Sequence, residues 1–267
     1  MKGNRGGQRV TGGGGGGGGV PGAPKVTPTP VTPPTPQQVS SGNVLPAGGV
    51  PFSDFEKMTD DQKADVITKA MGVGVPMFLD DSGLQRFAYF TGMSDKPTVV
   101  ADSKLDSMVG QTIYRGVRDA YIGRADIGYS SNDIYKQIAT GDFTMYSDSG
   151  GSVHGKAIYF ADDYGTARAY ATSSSNAKNP IVMRAKLAGK IINESTLHNQ
   201  YRSALRNGDK LALACSNAGS SSAANLYALA KGYDAIRDGS GYNMVLNRRC
   251  LTISDKTKPA TGRSYSW

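Results

Sequence analysis

The chain has 267 residues, of which 35 are Gly and 13 are Pro, and its formal net charge is +8. Fifteen of the glycines, eight of the prolines and no acidic residue lie in the first 50 positions, so a low-complexity tail precedes a region of ordinary domain size. No run of about 18 apolar residues occurs, and no apolar stretch follows the basic N-terminus, so we expect neither a membrane-spanning helix nor a secretory signal peptide. Cys215 and Cys250 cannot build a disulfide framework and lack metal-ligand spacing with the two histidines, so no metal site is expected.

The tail, residues 1–50, is predicted to be disordered. Residues 12–19 are eight consecutive glycines and residues 27–36 read Thr-Pro-Thr-Pro-Val-Thr-Pro-Pro-Thr-Pro; neither composition can bury a core. The tail therefore reads as a tether. Its alternative role is an arm that touches nucleic acid through its four basic residues, which would bind weakly and only at low salt. These are Lys2, Arg5, Arg9 and Lys25.

The first folded segment, residues 51–95, is predicted to be a helical element. Ser53 with Glu56 and Thr59 with Gln62 form capping-box patterns, in which two side chains satisfy each other's backbone N–H groups at a helix start. Apolar residues then recur at helical spacing up to Gly72. A further short helix is expected over 82–90.

From residue 96 onward, helices give way to strands. The expected helices cover 131–140, 162–171, 195–206 and 222–231, and Asp162 is expected to cap the second of them. The expected extended segments cover 98–101, 112–117, 157–161, 180–187, 233–236 and 242–253, with a tight turn at 238–241. Strand and helix do not alternate regularly, which favours the α+β class.

The first segment that suggests chemistry is Ile113-Tyr-Arg-Gly-Val117, in which Arg115 precedes Gly116 at the end of a strand. A guanidinium there can grip a phosphate with two hydrogen bonds, and an adjacent glycine lets a ligand approach the backbone. The alternative is an ordinary paired or solvated surface charge.

The second segment begins at His154 and Gly155 and continues into a strand that contains Tyr159. Because side chains alternate along a strand, Ile158 and Phe160 are expected in the core and Tyr159 on the other face, where its ring can stack on a flat heteroaromatic ligand. His154 is either a ligand contact or simply exposed. The third segment, residues 232–247, reads by itself as a hairpin and nothing more.

Together, the three segments resemble the ADP-ribosyltransferase superfamily. They contribute Tyr-Arg-Gly at 114–116, Gly-Lys-Ala-Ile-Tyr-Phe-Ala at 155–161, and Gly-Tyr-Asp-Ala-Ile at 232–236 before an apolar strand. The middle segment is similar to the Gly-Lys-Gly-Ile-Tyr-Phe-Ala motif of the poly-ADP-ribose polymerase branch, whereas the arginine of the first resembles the arginine-type toxin branch. The whole pattern resembles phage-encoded, virion-associated members. The resemblance covers residues 98–255 of a domain expected over 96–267.

The resemblance implies an ADP-ribosyltransferase-like split, mixed β-sandwich with NAD, as co-substrate, in the cleft between its sheets. Arg115 would contact the phosphates and adenosine side of NAD, and Tyr159 would stack on nicotinamide. Gly116, His154 and Gly155 complete the implied NAD-binding set. Breaking the nicotinamide–ribose bond develops an oxocarbenium-like charge, which a preorganised carboxylate stabilises.

One departure from the family concerns that carboxylate. The family has a Glu on its last motif strand, which would fall at about Tyr242 or Asn243. The chain contains only two Glu, at positions 56 and 194, and neither is near. Asp238, in the preceding turn, is a shorter substitute. The candidate catalytic residues are therefore Arg115, Tyr159, Tyr242 and Asp238, and slow or absent transfer chemistry is expected.

Two functions remain open. One is a mono-ADP-ribosyltransferase that uses NAD to modify a host or viral macromolecule. The other is a non-catalytic, virion- or scaffold-associated structural module that retains an NAD-binding fold. We expect the first, because Arg115 and Tyr159 both match. The expected partners are a protein acceptor and phage head or portal proteins, without membrane contact, and the expected location is the virion or the host cytoplasm.

Overall fold

The computed structural model describes residues 45, 48–72, 87, 90–91, 96–121, 128–140, 158–173, 178–218 and 223–260. The helices whose bounds lie within these residues are α1 (Phe52–Phe55), α2 (Asp60–Gly72), α3 (Asp102–Leu105), α4 (Ser131–Thr140), α5 (Tyr164–Thr172), α6 (Glu194–Arg206), α7 (Lys210–Ala218) and α8 (Ala223–Ala230). None of them combines the length and apolar composition needed to cross a bilayer. Apart from residues 45 and 48–50, the predicted tail lies outside the described set.

The strands are β1 (Thr98–Val100), β2 (Gln111–Val117), β3 (Ala120–Tyr121), β4 (Gly128–Tyr129), β5 (Ile158–Ala161), β6 (Ile181–Leu187), β7 (Ile191–Asn193), β8 (Ala235–Arg237), β9 (Tyr242–Val245) and β10 (Leu251–Pro259). Eight of these described strands form one mixed sheet in the order β1-β10-β6-β2-β5-β9-β8-β7, and β3 and β4 form a separate pair. Strand β1 runs parallel to β10 and β7 parallel to β8. A mixed sheet with separate helices is compatible with the predicted α+β class.

The eight-stranded sheet has two halves that meet at a narrow joint. Strands β2 and β6 pair over seven residue couples, from Gln111–Leu187 to Val117–Ile181. By contrast, β2 and β5 are registered through a single couple, Tyr114–Ala161. The joint therefore lies between β2 and β5, two of the strands that carry the motif segments.

Helices from both ends of the chain share one apolar core. Phe55 and Ile67 of the N-terminal helices belong to the same buried cluster as Leu211 and Leu226 of α7 and α8. Lys63 of α2 donates a 2.9 Å hydrogen bond from Nζ to the carbonyl of Ala230 at the end of α8. The helical element at the start of the folded region is thus packed against the second half of the chain.

The capping box at the start of α2 forms as predicted. The backbone N–H of Thr59 donates to Gln62 Oε1 at 2.9 Å, and that of Gln62 donates to Thr59 Oγ1 at 3.3 Å. The prediction of a similar box at Ser53 is wrong: α1 begins after Pro51, and no side chain caps it.

The prediction that Asp162 caps the next helix is also wrong. The cap of α5 is Asp163, which accepts a 2.8 Å hydrogen bond from the backbone N–H of Thr166. Hydrogen bonds from the side chain and backbone of Thr166 hold the pKa of Asp163 below its ordinary value. Asp162 is therefore left for another role.

The C-terminal strands are shorter than predicted. A single strand over 242–253 was expected, but β9 ends at Val245, a 3₁₀ helix follows at Arg248–Cys250, and β10 then begins. Asn247 interrupts the strand: its Nδ2 donates to Asp234 Oδ1 at 2.9 Å and its Oδ1 accepts from the backbone of Arg249. Helix α7 and strand β7 were not predicted.

Candidate functional site

The three motif segments fold into neighbouring strands. Strand β5 pairs with β9 over four residue couples, from Ile158–Val245 to Ala161–Tyr242. On its other side, β5 meets β2 at the joint. Segments that are far apart in the sequence therefore lie side by side at the middle of the sheet.

One face of these strands carries a polar row. Next to the Tyr114–Ala161 couple, Arg115 of β2 lies opposite Phe160 of β5. Phe160 pairs with Asn243 of β9, and Asn243 pairs with Arg237 of β8. Cross-strand partners project to the same face, so these side chains share it. We call this side the polar face and define it by Gln111, Arg115, Asp162, Arg237 and Asn243.

Of the five N–H donors of Arg115, one is bonded to the neighbouring strand and one is buried without an acceptor. Its Nη1 donates to the carbonyl of Tyr159 at 2.8 Å. Its Nε is buried and has no hydrogen-bond partner among the described residues. A buried N–H without an acceptor is costly, so this guanidinium is a suitable group to gain an anionic acceptor from a ligand.

Asp162 connects three parts of the polar face. Its Oδ1 accepts hydrogen bonds from Gln111 Nε2 and from Asn243 Nδ2, both at 2.7 Å. Its Oδ2 forms an ion pair with Arg237 Nη2. The carboxylate thereby ties β2 of one half-sheet to β8 and β9 of the other.

The Tyr159 and Tyr242 rings lie on the opposite side, which we call the packed face. Tyr159 pairs with Met244 across the strands and packs, partly buried, against the helical core. Tyr242 packs against a small cluster that includes Ala161. As predicted, Ile158 and Phe160 are core residues, and they lie on the same side of β5 as Arg115 and Asn243. The structure therefore joins Arg115 to the Tyr159 carbonyl and does not place their side chains on one face.

Gly116 serves helix packing. A Cβ at this position would lie 1.8 Å from the carbonyl oxygen of Ala167 in α5. We expected a ligand to approach the backbone here, but α5 occupies that space. The reason for a glycine after Arg115 is thus the contact between helix and strand.

Asp238 holds the turn between β8 and β9. Its Oδ1 accepts from the backbone N–H groups of Ser240 and Tyr242, each at 2.8 Å. Its Oδ1 therefore stabilises the turn that the sequence predicted. His154 and Gly155, also predicted as site residues, lie outside the described residues.

The sequence analysis missed Gln111, Asp162 and Arg237 as members of this site. One signal was available for Asp162: two adjacent aspartates precede α5, and a helix has one N-cap position, so the other carboxylate was free for a different contact. No comparable signal marked Gln111 or Arg237, because their contacts depend on strand order.

Comparisons of the chain with protein-family models, with curated proteins and with solved structures find no match. The likeness to ADP-ribosyltransferases consequently remains a prediction from three sequence segments. The geometry adds that these segments are adjacent strands and that two of them contribute to one polar face.

Proposed function

We propose that this chain is a mono-ADP-ribosyltransferase that uses NAD as co-substrate to modify a protein acceptor. The observation that supports this best is the position of the three motif segments in the sheet: β2 and β5 meet at the narrow joint, and β9 and β8 of the third segment follow next to β5. These strands belong to one eight-stranded sheet, and the proposal takes its two halves as the counterparts of the two sheets of a split β-sandwich. In this proposal the joint is the NAD cleft.

The residues of the polar face fit NAD in chemical type. Arg115 offers a buried, unpaired N–H to a phosphate oxygen. Asn243 is fully buried, and its Nδ2 donates to the partly exposed Asp162 carboxylate, an acceptor that suits a hydroxyl of NAD. When bound, NAD supplies an ADP-ribosyl group attached to nicotinamide, a leaving group that departs neutral.

The proposed reaction is slow because the family carboxylate is replaced. Asn243 lies on the polar face, but its amide cannot ionise. Tyr242 lies on the packed face. Neither position therefore supplies a negative charge beside the ribose at neutral pH.

A second function has its own support. The Tyr159 ring packs against the helical core instead of facing Arg115, and α5 fills the space beside Gly116. Both observations take predicted NAD contacts away and so favour the second function, a structural module of a virion or scaffold; the partners proposed for it are phage head or portal proteins, in the virion or host cytoplasm. In that case the transferase-like fold is retained for assembly.

Incubation with NAD labelled in the adenine ring separates the two functions. A transferase moves label to itself, to an acceptor or to water as ADP-ribose, whereas a scaffold leaves NAD intact. Arg115→Met should abolish labelling. Arg118→Met is the matched control, because Arg118 binds the carbonyl of Tyr170 and the hydroxyl of Ser173 away from the polar face. Intact NAD with the parent chain would overturn the transferase proposal.

A further inference from the structure

The carboxylate of Asp162 has room for one more hydrogen bond. A carboxylate offers about four acceptor positions, and its bonds to Gln111, Asn243 and Arg237 use three. The open position is on Oδ2, and the side chain is 25% exposed. Among the described residues no other group takes this position.

Asp162 also lies at the place where a carboxylate is missing. Asn243, one of the two positions expected to hold the family Glu, donates its amide to Asp162 at 2.7 Å. That hydrogen bond fixes the amide so that Oδ1 points away from Asp162, and this buried oxygen has no partner among the described residues. Asn243 is fully buried, so it orients Asp162, and the partly exposed Asp162 carboxylate is the acceptor that this part of the site presents to a ligand with hydroxyl groups.

We propose that Asp162 binds a hydroxyl of the nicotinamide ribose and stabilises the positive charge that develops on that sugar; this rests on the proposed transferase function. The bond between ribose C1′ and the nicotinamide nitrogen breaks, and its electron pair leaves with nicotinamide. An acceptor oxygen or nitrogen then donates a lone pair to C1′ and releases its proton to solvent. Asp162 exchanges no proton and forms no covalent bond, so its contribution is a hydrogen bond and an electrostatic attraction.

Gln111 and Arg237 are positioning residues in this arrangement. Their donors approach the carboxylate from β2 and from β8, so Asp162 is oriented by both half-sheets. A shift of one half relative to the other would move the carboxylate away from the ribose.

The test compares ADP-ribose with ADP, which lacks the second ribose, by isothermal titration calorimetry. The parent should bind ADP-ribose at least fivefold more tightly than ADP, and Asp162→Asn should reduce this preference below twofold. The same variant should cleave NAD at least tenfold more slowly at saturation. Asp163→Asn is the matched control: it changes the neighbouring helix cap, where Asn is also favoured, and should keep both the preference and the cleavage rate.

The outcomes separate the two proposals. A parent that binds neither nucleotide overturns the transferase function and this inference with it. A parent that binds both equally, or an Asp162→Asn variant that keeps the preference, overturns only the role of Asp162. If Asp162→Asn does not fold, Gln111→Ala replaces it: this variant removes a donor that orients the Asp162 carboxylate and should also lower the preference for ADP-ribose, and an unchanged preference overturns the role of Asp162.

Discussion

On the packed face of β2, β5 and β9, tyrosine rings lie against apolar clusters and a glycine touches the backbone of α5. On the polar face of the same strands, Arg115 Nε and Asn243 Oδ1 are buried without a partner in the described part of the chain. Both faces pack against apolar residues, among them Ile113 and Phe160 on the side of Arg115, and the polar face adds these two buried polar atoms. Unused hydrogen-bonding capacity of this kind is what a binding site needs and what a structural contact avoids.

Arg184, one strand away on β6, is an arginine paired with two carboxylates and serves for comparison. Its Nη1 binds Asp106 and its Nη2 binds Asp102, each at 3.0 Å, and its side chain is 6% exposed. Burial opposes ionisation of Asp102, but hydrogen bonds from Ser254 and Arg184 outweigh it and lower the pKa of this carboxyl. Arg184 thus holds the sheet to α3, while the Arg115 guanidinium has no carboxylate partner among the described residues.

The largest effect is expected on the packed face, from Gly116→Ala. The added methyl group would overlap the carbonyl oxygen of Ala167, so β2 and α5 must separate, at a cost of about 3 kcal/mol in unfolding free energy. Urea denaturation measures this change. Gly239→Ala is the control, because a Cβ there meets nothing within 4 Å. Equal stability of the two variants would show that α5 does not close this face.

The second variant, Asn243→Asp, tests whether the polar face is organised around one carboxylate. Asn243→Asp would place a second carboxyl group within hydrogen-bonding distance of Asp162. Because the two negative charges repel each other, the pKa of the introduced carboxyl group should be higher in the folded than in the unfolded state. A raised pKa means that stability is retained at low pH and is lost as pH rises through that value.

Each unit of this pKa rise lowers the free energy of unfolding by about 1.4 kcal/mol at pH 7. Unfolding of Asn243→Asp and the parent should therefore be compared at pH 5 and pH 7, with the deficit larger at pH 7. A deficit independent of pH would contradict the contact between positions 162 and 243.

A smaller and more specific effect is expected from Arg115→Lys. Lysine keeps the charge but loses the fork of donors, so NAD affinity should fall by about 1.5–3 kcal/mol. Unfolding free energy should change by less than about 0.5 kcal/mol, because no carboxylate of the described residues depends on this guanidinium. Calorimetric titration with NAD measures the first and urea denaturation the second. Unchanged NAD affinity would remove Arg115 from the site.

Local patterns predicted much of the fold. The Thr59–Gln62 capping box, the helix over 131–140 and the alternation around Tyr159 depend on residues close in sequence, and each is present. The uninterrupted strand over 242–253 was wrong because Asn247 binds Asp234, a contact that neither strand propensity nor period two can reveal.

The candidate site was less predictable, because its contacts join residues that are far apart in the sequence. Arg115 was visible as an arginine beside a glycine, but its face relative to Tyr159 depends on the register between β2 and β5. Asp162 was assigned to a helix cap because local sequence offers that role to either of two adjacent aspartates. Only the order of the strands brings Gln111, Asn243 and Arg237 to it.

The smallest effect is expected from Asp238→Asn, which decides between the two aspartates considered as substitutes for the family Glu. Asn keeps a side-chain oxygen that can accept from the backbone N–H groups of Ser240 and Tyr242. Unfolding free energy should therefore change by less than about 0.5 kcal/mol, and NAD cleavage should stay within twofold of the parent, while Asp162→Asn loses it. Labelled-NAD turnover of the two variants side by side is the measurement. If Asp238→Asn is inactive and Asp162→Asn is not, the working carboxylate lies in the turn, and the polar face holds the half-sheets together without taking part in the chemistry.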